Sequence, residues 1–327
     1  MADVAAPPAI VVDGLTKRFA GTTAVDGLRF TVGAGEIFGL VGPDGAGKTT
    51  AMRMLAGVMR PDAGSATVAG YDVVANPEGV KRRISYMPQG FGLYEDLTVD
   101  ENIRFYADLF DVRGATRTER SARLLAASGM SRFRDRLAGQ LSGGMKKKLG
   151  LTCALINTPR VLLLDEPTTG VDPVSRRDFW RILYELVGEG VTVVVSTAYL
   201  DEAERCHRLA LLHQGRVLLC DAPVRLKTAM PGTVVLVTSP APDEVRAALG
   251  GAPGVSGLLV VGDGVHLVVD DATTRVPDLR ARLVAAAVPF ADVAPMPPTF
   301  EDVFVATVRR EEPSSQEGAP ADPGAGP

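Results

Sequence analysis

At 327 residues, with 46% hydrophobic and 23% charged side chains, the chain has a globular composition and is long enough for one large domain or two. A formal net charge of -4 excludes a globally basic surface for nucleic acid, and no nucleic-acid partner is expected. Three widely spaced cysteines, Cys153, Cys206 and Cys220, form no C-x-x-C pair or disulfide framework and read as reduced, buried thiols; no apolar run approaches the roughly 18 to 20 residues that span a bilayer.

Residues 1–8 hold no basic stretch leading into an apolar run, so no secretion signal is read there, and they are expected to be a flexible N-terminus. From about residue 9 to residue 228, apolar strand runs alternate with helical stretches, the pattern of an α/β domain. A first strand is expected at 9–12 and a second at 36–41. The latter runs into Gly42-Pro43-Asp44-Gly45-Ala46-Gly47-Lys48-Thr49-Thr50, which matches the phosphate-loop pattern G-x-x-x-x-G-K-[ST], and a helix is expected over 50–57. Glycines let the backbone turn its N–H groups toward phosphates, and the helix N-terminus adds partial positive charge. Lys48 then reaches the β- and γ-phosphates, and Thr49 offers a hydroxyl to magnesium. Two basic runs, 81–83 and 146–148, read as solvated helix faces or loops.

Helices are expected at 104–110 and 175–187, with a mostly helical insert over about 95–150. Leu141-Ser142-Gly143-Gly144-Met145 precedes a helix expected at 146–155, where Ser142 and the two glycines would expose N–H groups as a second anion site. The apolar strand 161–164 ends in Asp165-Glu166-Pro167. A strand's carboxyl end presents Asp165 to magnesium beside the phosphate loop, and Glu166 can take a proton from an attacking water. A further buried strand is expected at 191–196. After Met230-Pro231-Gly232 the pattern changes to strand 233–238, helix 242–249, a hairpin of 256–261 and 265–269 turned at Gly262-Asp263-Gly264, helix 276–287, and a short strand near 290–293. That βαββαβ order over 229–310 suggests a small α+β, ferredoxin-like domain. From residue 311 the chain is Pro, Gly, Ser and Glu with almost nothing to bury, and is expected to be disordered.

The phosphate loop, the acid strand and Leu141-Ser142-Gly143-Gly144-Met145, in that order and spacing, resemble the ABC ATPases, with Met145 where that family usually has Gln. The resemblance covers residues 9 to about 225 and implies a P-loop NTPase fold of ABC type with ATP and Mg2+ as ligands. It implies an adenine-stacking role for Phe19, contact of Gln89 with magnesium and attacking water, and a role for Asp172 in the loop that communicates between two nucleotide sites. Catalysis would rest on Lys48, Gln89 and Glu166, the metal on Thr49, Gln89 and Asp165. Nucleotide would lie against Phe19, residues 42–50, Ser142, Gly143, Gly144 and Asp172. In the family, the Ser142-Gly143-Gly144 site caps ATP held by a second ATPase chain, and the engine works on an integral membrane permease at the cytoplasmic face of the membrane.

One family feature is absent. The histidine that usually follows the strand after the acid pair is Ala198 here, while the match continues through Tyr199-Leu200-Asp201-Glu202-Ala203-Glu204-Arg205. His207 cannot replace it, since nine residues of helix span about 13 Å. This segment, with Leu141 to Lys146, resembles a branch of ABC-2 drug- and ion-efflux ATPases in which one ATP-binding domain lacks the histidine and its partner keeps it. Residues 297–305 resemble the closing helix of ABC-2 exporters of the daunorubicin-resistance type. Phe300, Val303 and Phe304 would give that helix one apolar face, for its own domain's core or for a dimer mate. The expectation is an export-type ATPase working as a homodimer or an asymmetric heterodimer. An import-type subunit shares every ATP motif, and a non-transport ABC ATPase is a more distant alternative; a small-molecule kinase would leave Ser142-Gly143-Gly144 unexplained.

Overall fold

A computed structural model describes residues 7–311 except Phe91 and Asp263. Most of the expected flexible N-terminus, the tip of the 262–264 turn and the expected tail beyond Glu311 therefore lie outside the described residues. The chain divides into two compact units after Leu226.

In the first unit, β1 (Ile10–Phe19) and β2 (Thr22–Val32) precede β3 (Ile37–Val41), the phosphate-loop segment and α1 (Lys48–Leu55). Then come β4 (Ala63–Val68), β5 (Tyr71–Asp72), α2 (Pro77–Lys81), β6 (Ile84–Met87), α3 (Val99–Leu109), α4 (Gly114–Ala127), α5 (Gly143–Leu155) and β7 (Val161–Asp165). The unit closes with α6 (Pro173–Gly188), β8 (Thr192–Thr197), β9 (Arg208–His213), β10 (Arg216–Asp221) and the start of α7 (Pro223–Thr228). Six strands form a sheet in the order β10-β9-β3-β8-β7-β6, parallel except for the edge strand β10. Its strands are apolar on both faces because both are covered: Leu162 and Leu164 join the core under α3, α5 and α6, while Val161 and Leu163 join the core that holds Met52, Met54 and Leu55 of α1. A second, antiparallel sheet, β2-β1-β4-β5, packs into that same core through Ile10, Val12, Leu28 and Phe30.

That antiparallel sheet corrects the sequence reading, which named one short strand at 9–12 and no strand at β2, β4 or β5; β9 and β10 of the six-stranded sheet were not named either. Helix starts are corrected too. α1 opens at Lys48 rather than 50, α3 at Val99 rather than 104, and α5 at Gly143 rather than 146, directly after the left-handed Gly47 and the side-chain caps Thr98 and Ser142 respectively. At α3 the cap is a reciprocal box, Thr98 accepting from Glu101 N while Glu101 accepts from Thr98 N.

The second unit runs β11 (Thr233–Thr238), α8 (Pro242–Leu249), β12 (Val255–Val261), β13 (Gly264–Val269), α9 (Ala272–Ala285), β14 (Asp292–Met296) and α10 (Phe300–Glu311). Its sheet has the order β12-β13-β11-β14 with every neighbour antiparallel, so each βαβ passage skips over a strand. Val235, Val237, Leu267, Leu279 and Leu283 centre its own core. Two elements are displaced from expectation. The last strand is Asp292–Met296 rather than 290–293, and it carries Pro295 because it is an edge strand. α9 starts at Ala272 rather than 276, capped by Asp271, with Pro277 inside it. Among the described residues no helix is long and apolar enough to cross a membrane. Cys153 and Cys206 are buried, but Cys220 is only partly so.

Candidate functional site

Parallel pairing brings the carboxyl ends of β3, β6, β7 and β8 to one edge of the sheet, and the residues singled out by sequence follow those ends. The segment 42–47 leaves β3, Gln89 lies just past β6, Asp165 ends β7 with Glu166 after it, and Ala198 follows β8. The loop can fold only on glycine at two points. Gly47 is left-handed (φ 98°), and a Cβ there would meet the Ala24 carbonyl at 2.4 Å; a Cβ on Gly42 would meet the Leu212 carbonyl at 2.2 Å. Pro43, Asp44 and Gly45 are exposed at its tip, while Ala46 is buried and its carbonyl accepts from Gly215 N.

Lys48, nearly buried, donates from Nζ to the carbonyls of Gly42 (2.9 Å) and Pro43 (3.0 Å), and lies 3.1 Å from Glu166 Oε1. Thr49, the next residue, donates from Oγ1 to Asp165 Oδ1 at 3.1 Å, and Thr50 continues the helix half-buried. Ser196 Oγ donates to the same Asp165 oxygen at 2.6 Å, and the Tyr86 hydroxyl to Oδ2 at 3.2 Å. Burial, reinforced by the charge of Asp165, pushes the Tyr86 phenol up to about 12, so it stays a donor at neutral pH. Glu166 has φ 48°, a left-handed backbone held by its N–H donating to the Ser196 carbonyl (3.1 Å) and Oγ (3.0 Å). Its second carboxylate oxygen accepts from Gln89 Nε2 at 2.9 Å and Thr169 Oγ1 at 3.4 Å.

Lys48, Thr49, Gln89, Asp165 and Glu166 thus form one hydrogen-bonded cluster. Ser142, Gly143, Gly144 and Asp172 gather elsewhere. Ser142 caps α5 by accepting from Met145 N, Asp172 caps α6 by accepting from Ser175 N, and a Cβ on Gly144 would meet Ser175 Oγ at 2.6 Å. The bond from Ser175 N holds the Asp172 carboxyl below the usual range. Phe19 ends β1 as a 44% exposed residue, available for stacking, and the Lys17 ammonium lies 5.6 Å from its ring centroid. Ala198 is half-buried and offers a methyl only. His207 lies at the opposite end of the sheet, where its Nδ1 accepts from Ile37 N at 3.0 Å.

Sequence reasoning missed Tyr86, Ser196 and Thr169, whose hydroxyls hold the two acids, and it misread the run 146–148. Lys146 pairs with Glu95 (2.6 Å), Lys148 with Asp178 (2.8 Å), and Lys147 donates to the Gln89 carbonyl (2.9 Å). Exposed Arg82 and Arg83, with Lys81 paired to Glu78, fit the solvated reading of the other run.

The family profile described as ABC transporter matches residues 25–169. The chain is 48% identical over 301 residues to a probable multidrug ABC transporter ATP-binding protein, YbhF, of Escherichia coli, covering 90% of this chain and 51% of that protein, so it spans about half that relative's length. It is 43% identical over 228 residues to the daunorubicin/doxorubicin resistance ATP-binding protein DrrA of Streptomyces peucetius, covering 69% of each. A solved structure of the ATP-binding subunit of an ABC transporter superposes with a TM-score of 0.61 at 29% identity, over 67% of this chain and 92% of that one.

Proposed function

This chain belongs to the ABC transporter ATP-binding proteins, and on that basis we propose that it binds MgATP at the Lys48 cluster and hydrolyses it to drive export through a separate membrane permease. The observation that carries the reading is the cluster itself: a cradle that admits no side chain at Gly42 or Gly47, a lysine at its mouth, and two carboxylates with an amide at its rim.

Lys48 is held by its own loop's carbonyls and by Glu166. Triphosphate oxygens are stronger acceptors than carbonyls, so the ammonium turns to them and leaves Glu166 Oε1 free. Glu166 then takes a proton from a water as that water attacks the γ-phosphorus and the bond to the ADP oxygen breaks. Gln89 can donate to Glu166 through Nε2 while its Oε1 remains an acceptor. The Thr49 hydroxyl, the Asp165 carboxylate and the Gln89 amide oxygen are hard oxygen donors suited to magnesium, which would supply charge neutralisation across the β- and γ-phosphates. Ser196 and Tyr86 fix the orientation of Asp165. Phe19 supports the adenine. Ser142, Gly143 and Gly144 cap ATP on a second ATPase chain, with Asp172 packed beside them.

With Ala198 in place of histidine, the site on this chain's loop holds ATP and fires slowly, and the partner's site works faster. The relatives' names, multidrug and daunorubicin/doxorubicin resistance, support the exporter branch. The chain acts at the cytoplasmic face of the membrane, with residues 9–228 as the ATPase domain and 229–310 as an accessory domain. The strand-skipping sheet order of the second unit supports its reading as ferredoxin-like, with the Phe300 and Val303 face of α10 closing it.

Two variants of the chain in its native complex test the site. Lys48→Ala is expected to weaken ATP binding at least about tenfold and stop transport, because a charge-assisted phosphate contact is lost. Glu166→Gln is expected to bind ATP normally and stall hydrolysis. Unchanged nucleotide affinity in the first, or full turnover in the second, overturns the assignment.

A further inference from the structure

Consecutive residues on a helix point about 100° apart, so three adjacent lysines cannot share one task. Lys146 and Lys148 take carboxylates on either side of α5, but Lys147, half-buried between them, gives its ammonium to a backbone carbonyl. That carbonyl belongs to Gln89, whose side-chain amide donates to Glu166 Oε2 at 2.9 Å; Glu166 Oε1 in turn faces Lys48 at 3.1 Å, and Lys48 donates to Gly42 and Pro43. A continuous polar chain therefore runs from the helix opened by Ser142-Gly143-Gly144 to the phosphate loop, with Lys147 as its first link. Burial holds the ammonium's pKa below its ordinary value, and the charges of Glu166 and Asp165 oppose that shift only in part.

We infer that Lys147 is a positioning residue that holds the backbone at Gln89, so that the attitude of α5 sets how Gln89 meets Glu166. When α5 moves to engage the nucleotide of a second chain, it carries Lys147, and Lys147 carries Gln89. The capping of one nucleotide is thereby reported to the acid of the other site. The inference rests on the reading of Glu166 as the proton acceptor.

Lys147→Met keeps an unbranched side chain out to Cε and removes the donor; Lys147→Arg restores a cation. In the nucleotide-free chain, hydrogen exchange of the amides between Met87 and Gly90 should quicken about tenfold in Lys147→Met, the scale of one lost charge-assisted bond, and return toward wild type in Lys147→Arg. In the assembled transporter, Lys147→Met should lower kcat about tenfold with KM unchanged, because nucleotide contacts remain. In a Gln89→Ala background the same substitution should add no further loss, since both act through one element. Wild-type exchange in Lys147→Met, or a loss that multiplies in the Gln89→Ala background, overturns the inference. Failure of the proton-acceptor reading would show separately, as turnover in Glu166→Gln with the exchange result intact.

Discussion

Glu166 sits in a left-handed backbone conformation, which costs a non-glycine residue of order 1–3 kcal/mol and persists only where its surroundings fix it. Here the two bonds from its N–H to Ser196 fix it, and the reward is a carboxylate aimed between Lys48 and Gln89 rather than along the strand. Lys48, Thr49, Asp165 and Glu166 were legible in sequence because short motifs place them at fixed offsets from strand ends. Ser196 and Tyr86 were not, because their bonds to Asp165 cross 31 and 79 residues of chain and only strand pairing brings them near. Ala198 is, with Met145, a residue where the sequence departs from the family pattern, and the fold around it is intact. Tyr199 N donates to Thr197 Oγ1, and buried Glu202 gathers donors from Thr168, Trp180 and Thr197. A histidine can therefore be restored on a ready backbone. With the membrane partner present and no second ATPase, the wild-type chain is expected to turn over slowly. Ala198→His should raise kcat toward the 10²-fold scale typical of a positioned catalytic contact. Robust wild-type turnover, indifferent to that substitution, would instead establish a symmetric homodimer.

At the scale of elements, the parallel strands β3, β7 and β8 were readable because both faces of their sheet are covered and their sequences are largely apolar runs. The antiparallel sheet was not. β1 shifts register at three places, so its burial does not alternate and the period-two signal fails after Val12. The β9–β10 hairpin turns on Gln214 and Gly215, both at positive φ, and Gln is an unusual residue at such a corner. The start of α5 was placed three residues late because the glycines that disfavour helix are there for close approach. Gly144 lies against Ser175 at the start of α6, with 2.7 Å from an added Cβ to the Ser175 Cβ. Gly144→Ala must push the two helix starts apart, an overpacking cost of roughly 1–3 kcal/mol. The variant should melt lower and lose ATP-dependent pairing with its partner chain, as seen by sedimentation, while a titration shows its own ATP affinity unchanged. Normal pairing at a normal melting temperature would mean that the contact relaxes freely.

At the scale of the whole chain, the apolar interior falls into clusters that respect the division after Leu226. Two are built only from residues of the first unit and meet across the six-stranded sheet; the third is built only from residues between Val235 and Val293. A unit that owns its core can melt as its own cooperative transition. The proposed ATP contacts, from Phe19 to Asp172, all lie in the first unit, so ligand linkage should act on that unit alone. MgATP at about one hundred times its Kd should add about 2.7 kcal/mol to the first unit's stability and leave the other transition in place. Leu267, fully buried in the third cluster, provides the reverse test. Leu267→Ala should cost about 2–5 kcal/mol there, a fall of 8 °C or more on the scale of roughly 4–8 °C per kcal/mol for a unit near 100 residues. Calorimetry of the full chain separates the cases. Two transitions, one moved only by MgATP and the other only by Leu267→Ala, are expected. A single transition shifted by both would show that the two units unfold as one, and that nucleotide binding is felt in the C-terminal sheet.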